Sequence, residues 1–453
     1  MEYQSAIYNP KSAIQKRNSM KYRQALDLLN QRGNEVQGMN LGLHRMIAIM
    51  RALGNPQDRV PALHIAGTNG KGSVAAMAES ILRSAGLRTG LYTSPHLVRI
   101  EERIRINGAD IPPGRFAAAI ATINTTEKLL LRRRKLDRPL TFFELVTAAA
   151  FLHFAEQEVD VAVVEVGLGG ALDATNIITP RACVITGISY DHRNILGNTL
   201  RQIADEKAGI IKAGVPVISG CRAPAARSVI RRVARRQGAP LIEIERDCRI
   251  RIRNQQRGRC TIDLQTPLRH YRRVRLSLAG KHQAANAALA VSAVEALQLG
   301  SLNLRAVRQG LGDARWPGRL DEYRTNRAIL LDGAHNPESA EVLRAFIRAR
   351  KPGKIHLVFG ALRDKDIRKI GATLFPLAEV IHLAPLDNAR TALPGEIVSL
   401  HKRFRSRMRT HADSHAALRA AREACPRDGL VLVTGSLYLI GELLPIVKSS
   451  IRG

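Results

Sequence analysis

Acidic residues are scarce in this chain. Asp and Glu number 39 against 70 Lys and Arg, a formal net charge of +31 over 453 residues. A field of that sign favours anionic partners without choosing among nucleotide, polyacid, nucleic acid and membrane surface. Much of it equally suits solvated arginine-rich surface. Aromatic residues are scarcer still, at 4%. Few platforms exist for stacking bases, so no specific nucleic-acid partner is expected. The five cysteines (Cys183, Cys221, Cys248, Cys260 and Cys425) lie far apart and form no CxxC pair. That argues against a disulfide frame or zinc site and fits reduced thiols in the cytoplasm. Long apolar runs are missing as well. The first 17 residues contain no hydrophobic signal core. The most apolar late stretch, Leu430 to Val447, is broken by Gly435, Gly441, Glu442 and Pro445, and reads as strand, turn and helix. The expectation is a cytoplasmic monomer, without membrane association, that handles small anionic molecules.

Domains usually run to roughly 100–200 residues, so two or three are expected here. Residues 1–20 are polar and basic and read as a loose extension. Met20 to Leu53 reads as helix, glycine-containing loop and helix. Pro61–Ala66 is a short apolar strand, followed by the glycine-rich stretch Gly67–Ser73 and an alanine-rich helix to Ala85. Thr89–Tyr92, Val159–Val166 and Ala182–Ser189 read as further strands, and Phe142–Phe154 as a helix. Alternating helices and strands imply a parallel α/β sheet with right-handed crossovers. Arg222–Arg275 changes character: short, basic, alternating segments suggest a small β subregion. Lys281–Leu297 is an alanine-rich helix, and Gly300-Ser301 suits a linker. Beyond it, Ile329–Leu331, His356–Phe359, Val380–Leu383 and Leu430–Val433 are apolar strands of a second, smaller doubly wound domain. The expected division is therefore 1–299 and 300–453.

The strongest chemistry lies in Gly67-Thr68-Asn69-Gly70-Lys71-Gly72-Ser73. Glycines let a backbone turn tightly and aim N–H groups at phosphate oxygens, and the following helix adds its positive N-terminal end. Lys71 can serve as a point charge between β- and γ-phosphates. Ser73 can touch the nucleotide or its magnesium. The strict G-x4-G-K-[ST] spacing is not met: Ile65 stands where its first glycine would be, and Gly72 separates Lys71 from Ser73. That departure argues against ordinary GTPases and kinases.

Gly-Thr-Asn-Gly-Lys-Gly-Ser is also the loop of the Mur-type ligases, and the chain from about Tyr22 to Leu444 resembles their folylpolyglutamate synthase/dihydrofolate synthase branch. The resemblance is carried by Leu41-Gly42-Leu43-His44-Arg45-Met46, the loop, Thr93-Ser94-Pro95-His96-Leu97, Phe142-Phe143-Glu144 and Glu165-Val166-Gly167-Leu168-Gly169-Gly170. It continues through Asp173-Ala174-Thr175-Asn176, Asp191-His192, Glu206-Lys207-Ala208-Gly209, Pro317-Gly318-Arg319 and Asp332-Gly333-Ala334-His335-Asn336-Pro337. It implies an α/β fold with a P-loop-containing Mur-ligase-like central domain and a smaller Rossmann-like C-terminal domain. The implied substrates are ATP, L-glutamate and a pterin or folate, and the implied reaction passes through an acyl phosphate. Mg2+ is the implied metal, with a monovalent cation as a further possibility.

The resemblance also implies roles. Gly67 to Ser73 hold ATP together with Asn286, Arg319 and Asp332, and His282 lies near the base. Ser94, Glu165 and His192 hold the metal. Glu165 also ends a strand, where α/β sheets place ligands. Lys207 is carbamylated, which requires an amine that burial keeps neutral. Lys71, His192, Lys207 and His335 form the catalytic set. Phe143, Leu172, Asp173 and Ala174 line the pterin side, although an aromatic at Phe143 suits a helix core equally. Ala171 departs from the family pattern, which often has arginine there, and this opens the question of substrate preference; Arg193 is a nearby substitute. Two other readings stay open: another amino-acid ligase of the Mur type, and a basic nucleic-acid-associated ATPase. The second leaves Glu165, His192 and Asp332 without a task.

Overall fold

The computed structural model describes residues 20–33, 42–256, 258–324 and 326–452. The N-terminal extension and Leu41 of the first motif lie outside the described residues. The first sheet has eight strands: β1 (Ala62–Ala66), β2 (Thr89–Tyr92), β3 (Ile104–Ile106), β4 (Ala109–Asp110), β5 (Val161–Glu165), β6 (Ala182–Ile185), β7 (Val217–Ser219) and β8 (Leu241–Glu243). Their order is β4-β3-β2-β5-β1-β6-β7-β8. From β2 to β8 all pairs are parallel, and β3 and β4 add an antiparallel edge.

Strand alternation sends side chains to two cores. Leu63, Ile65, Val161 and Val163 face one core. The helices Lys71–Ser84 and Gln283–Ala296 pack there. Ala62, Ala162 and Val164 face the other core, with residues of the helices His44–Ala52, Pro113–Arg132 and Phe142–Glu156. Two motif segments meet in this second core. Arg45 is fully buried, and its Nε donates to Glu144 Oε1 at 3.1 Å. Glu144 also closes a capping box, with its Oε2 accepting from Thr141 N at 2.8 Å.

The Arg222–Arg275 segment is part helix and part sheet. Pro224–Arg236 is helical, where few helix signals were apparent. Its buried Ala226, Val229, Ile230, Val233 and Ala234 recur at helical spacing, a pattern masked by the arginines between them. The β subregion is the antiparallel sheet of β9 (Arg249–Gln256), β10 (Arg259–Gln265) and β11 (His270–Ala279). Ala182–Ser189 is likewise shorter as a strand than expected. β6 stops at Ile185, and Thr186 turns its hydroxyl to the Asn69 carbonyl at 2.7 Å.

The second domain holds a six-stranded sheet in the order β12-β13-β17-β14-β15-β16. These strands are β12 (Asp321–Arg324), β13 (Ala328–Asp332), β14 (Ile355–Phe359), β15 (Val380–Leu383), β16 (Met408–Thr410) and β17 (Leu430–Thr434). β12 alone is antiparallel. The helix Leu304–Asp313 follows the expected linker, yet Val307 and Leu311 are buried in the first domain's core with Leu302 and Ala314. A division drawn on packing therefore falls between Ala314 and Gly318. No described helix is long and apolar enough to cross a membrane.

Candidate active site

The phosphate loop springs from the fully buried β1. Gly70 takes φ +87°, a left-handed conformation that favours glycine, and opens the helix Lys71–Ser84. A Cβ at Gly72 would lie 2.5 Å from the ring of Trp316, the chain's single tryptophan. The extra glycine of the loop is thus where the tryptophan between the two domains packs. Lys71 Nζ donates to the carbonyls of Gly67 at 3.1 Å and Thr68 at 3.3 Å, so the ammonium is folded back over the loop. Behind the loop, Gln283 Nε2 donates to Ser73 Oγ at 3.3 Å, and Asn286 Nδ2 donates to Gln283 Oε1 at 2.9 Å. His282 precedes that helix, and burial pushes its pKa down to about 4.

Glu165 ends β5 with 4% of its surface exposed. The backbone N–H of Ser94 donates to its Oε2 at 3.3 Å. Burial pushes the Glu165 pKa up to about 7, against the pull of Lys71 and the Ser94 bond. A cation beside this carboxylate would relieve that cost, which fits a hard divalent metal. His192 sits in the left-handed region at φ 47°, with its Nε2 3.2 Å from Lys365 Nζ. Burial, then Lys365, pushes its pKa down to about 4, so its ring is neutral at pH 7. Among the described residues no group of three His, Cys, Asp or Glu could hold a metal. A magnesium ion here would need hydroxyl, phosphate and water oxygens to complete its shell.

Lys207 lies in the last turn of the helix Leu200–Ala208 and is 4% exposed. Burial, aided by the like charge of Lys71, pushes its pKa down to about 7. Its neighbour Asp205, a possible partner, binds Arg232 at 2.5 Å instead.

The pterin-side residues divide. The Phe143 ring lies over Gly167, where a Cβ would be 2.4 Å from Cζ, and 6.2 Å from the Tyr92 ring. Phe143 packs on the second core and lines the cavity at once. Asp173 has little left to offer a substrate. Its oxygens accept from Leu168 N at 2.9 Å, Thr175 N at 3.0 Å and Thr175 Oγ1 at 2.5 Å. It therefore shapes the loop that carries Leu172 and Ala174. Thr175 Oγ1 in turn accepts from the buried His64 Nε2 at 2.8 Å, tying this loop to β1. Arg193 lies over the Tyr190 ring at 5.3 Å and outside the cavity lining; Arg222 lines it and pairs with Glu245 at 2.8 Å.

The second domain supplies the opposite wall. Arg319 Nη1 donates to the Gly333 carbonyl at 3.2 Å. Both oxygens of Asp332 are taken by backbone N–H groups, Leu320 at 2.9 Å and Ala334 at 3.0 Å, so this carboxylate braces the segment bearing Arg319. His335 Nδ1–H donates to the Gly333 carbonyl at 2.7 Å, leaving its Nε2 3.7 Å from Asp191 Oδ2. Asp191 is the hub. Burial works against its charge, but Lys365, then His192 and His335, hold its pKa far below the usual carboxylate range. Lys365 Nζ donates to its Oδ1 at 2.8 Å across the domain boundary. Asp191 and Asn336 stood in the sequence motifs without an individual role. Lys365 had no signal at all, because its partner lies 174 positions away.

The loop, Ser94, Glu165, His192, Lys207, Asn286, Arg319, Asp332, His335 and Lys365 line one cavity of about 640 Å³ between the domains. Such a cleft, with few convergent polar groups and perturbed pKa values, marks a candidate active site.

Comparison with known proteins gives the same picture. Residues 65–294 match the Mur ligase middle domain, and 318–437 match the Mur ligase glutamate ligase domain. The chain is 37% identical over 416 residues to the dihydrofolate synthase/folylpolyglutamate synthase of Bacillus subtilis, covering 91% of this chain and 96% of that one. Against the Escherichia coli protein of the same description identity is 33%, covering 92% and 93%. A Mycobacterium tuberculosis folylpolyglutamate synthase complexed with ADP and AMPPCP superposes with a TM-score of 0.88 at 34% identity, covering 94% and 98%. An Escherichia coli FolC in complex with DHPP and ADP gives 0.85 at 31%, covering 95% and 98%.

Proposed function

The chain belongs to the dihydrofolate synthase/folylpolyglutamate synthase family of Mur ligases, and on that premise we propose how its site performs ATP-dependent glutamate ligation. The protein joins L-glutamate to a pterin or folate carboxylate at the expense of ATP. Our reading is that it serves both dihydropteroate and folate (poly)glutamates. The observation that carries the ligase chemistry is the meeting, in one cavity, of a phosphate loop, a buried strand-end carboxylate and cations from a second domain.

The substrate carboxylate attacks the γ-phosphorus of ATP. A new O–P bond forms, the bond to the β-phosphate bridging oxygen breaks, and ADP leaves. The amine of glutamate then attacks the acyl carbon, phosphate departs and the nitrogen loses a proton. A carboxylate alone is a poor acyl donor, so the phosphoryl group supplies the leaving group. Lys71 and the N–H groups of Gly67–Ser73 neutralise the transferring phosphoryl charge. For this, the Lys71 ammonium must leave the loop carbonyls and turn to the phosphates.

Glu165 with the Ser94 hydroxyl, and neutral His192, are the residues that would hold Mg2+, which when bound offsets phosphate charge. Lys207, carbamylated, would present an anion to the same region. Asn286, backed by Gln283, meets the adenine with both a donor and an acceptor. Arg319 faces the phosphates from the second domain, and His335 offers Nε2 on that side. Phe143, Leu172 and Ala174 form the pterin wall, shaped by Asp173. With alanine at 171, Arg222 is a cavity-lining cation that could meet an anionic substrate tail. Closure of the two walls excludes water, which would otherwise hydrolyse the acyl phosphate.

The test is incubation with ATP, magnesium, glutamate and either dihydropteroate or tetrahydrofolate. ADP release that needs both glutamate and a pterin, with a product one glutamyl residue heavier, is expected. Glutamate-dependent release with neither pterin would reject the folate reading. Lys71→Ala should abolish ADP release and leave the circular dichroism spectrum unchanged.

A further inference from the structure

One set of contacts across the cavity has no task in that mechanism. Asn336 is the N-cap of the helix Pro337–Arg350, and its Oδ1 accepts from Ser339 N at 2.9 Å. That bond fixes which end of the carboxamide points away. The other end crosses between domains. Asn336 Nδ2 donates to Asn69 Oδ1 at 2.9 Å and to Asp191 Oδ2 at 3.3 Å. Asn69 Nδ2 reciprocates, reaching Glu338 Oε2 at 2.5 Å and Asn336 Oδ1 at 3.4 Å.

Asn69 is the third residue of the phosphate loop, and its carbonyl is already held by Thr186 Oγ1 at 2.7 Å. The loop is thus gripped from both sides, once by its own domain and once by the other. The contacts join the two amides to each other and each amide to a carboxylate, Asn69 to Glu338 and Asn336 to Asp191. Such bonds are directional enough to set the loop's position, and none is an ion pair that would lock the domains together. Interfaces between domains of one chain commonly allow relative motion, and a contact that spans one is sensitive to it.

We propose that Asn336 is a positioning residue that clamps Asn69, and with it the phosphate loop, to the second domain when the two domains close. This rests on the loop being the nucleotide site. The clamp makes loop geometry depend on closure, so phosphoryl transfer awaits a shielded site.

Two substitutions isolate it. Asn336→Ser keeps a residue preferred at helix N-caps but is too short to reach Asn69. Asn69→Ala removes the partner at a position that caps no helix. Trp316 is the chain's single tryptophan and packs on Gly72, so its fluorescence reports on the loop and the adjoining linker. Each variant should lower kcat for glutamate-dependent ADP release about tenfold or more, while in Asn336→Ser, which leaves the loop's own residues intact, the calorimetric Kd for AMPPCP changes by about threefold or less. The change in Trp316 fluorescence on adding AMPPCP should shrink in both. The double variant should lose clearly less than the product of the two single losses, because the two side chains share the Asn69–Asn336 contact.

A folded Asn336→Ser protein with kcat within about twofold of the parent, or losses that multiply in the double variant, would overturn the clamp. If Asn336→Ser does not fold, Asn69→Ala with parental kcat and an unchanged fluorescence response overturns it alone. A parent that binds no AMPPCP would instead remove the nucleotide reading, and the clamp with it.

Discussion

Single residues show where contiguous sequence is a sufficient guide and where it is not. The phosphate loop was legible because its chemistry lies in seven consecutive residues between a strand and a helix. Glu165 was legible because it ends an apolar strand. Lys365 was not, since a lone lysine in a polar loop carries no local pattern, and Asp191 gains its place only when the second domain arrives. Asp332 and Asp173 line the cavity, but that they also brace their own segments through backbone N–H groups becomes visible only in the fold. Lys207 carries a sharper consequence. Its pKa is pushed down to about 7, chiefly by burial, so the amine becomes largely neutral as pH rises through that value. A neutral amine can add carbon dioxide, whereas an ammonium cannot. Activity should therefore fall in CO2-depleted buffer and return with bicarbonate at pH 8. Lys207→Ala should be slow, indifferent to bicarbonate and partly rescued by a short carboxylate such as acetate. A parental enzyme indifferent to bicarbonate, with no carboxylate rescue of the variant, would count against carbamylation.

Elements were legible where hydrophobic period and composition agreed. β1, β5 and the helix after the loop satisfied both. The helix Pro224–Arg236 did not, because arginine-rich composition obscured a regular apolar stripe. Trp316 explains a departure at this scale. The helix Lys71–Ser84 can carry glycine at 72 only at some cost to its first turn, and the tryptophan ring fills the space a side chain would need. Gly72→Ala should cost about 1–3 kcal/mol through overpacking, read as a lower denaturation midpoint, and Trp316→Leu should recover part of it. A second element-scale feature lies in the smaller domain. His356 on β14, His382 on β15 and His411 beyond β16 stack in a row. His356 Nδ1 lies 3.3 Å from His382 Nε2, and His382 Nδ1 lies 3.1 Å from His411 Nε2. Burial, then its two neighbours, pushes the His382 pKa down to about 4. The unfolded chain binds its proton near pH 6.5 and the folded one near 4. Stability is thus full above about pH 6.5 and is lost as pH falls towards 4. His382→Leu should flatten that acid loss, measured as the drop in Tm between pH 7 and pH 5. An unchanged drop would assign the acid sensitivity to other buried histidines.

For the whole molecule, alternating strands and helices pointed to two α/β domains. The glycine and serine at 300 and 301 look like a linker, while the next helix, Leu304–Asp313, packs back onto the first core. The seam matters because the chemistry proposed here belongs to neither domain alone: a loop and a carboxylate come from one, cations from the other. The central claim is that the substrate's own carboxylate is phosphorylated before glutamate attacks. Dihydropteroate labelled with oxygen-18 in its carboxyl group tests this directly. Ligation through an acyl phosphate transfers one labelled oxygen to inorganic phosphate for each amide bond formed, and mass spectrometry of the phosphate should find it. Amide product accompanied by unlabelled phosphate would contradict the account.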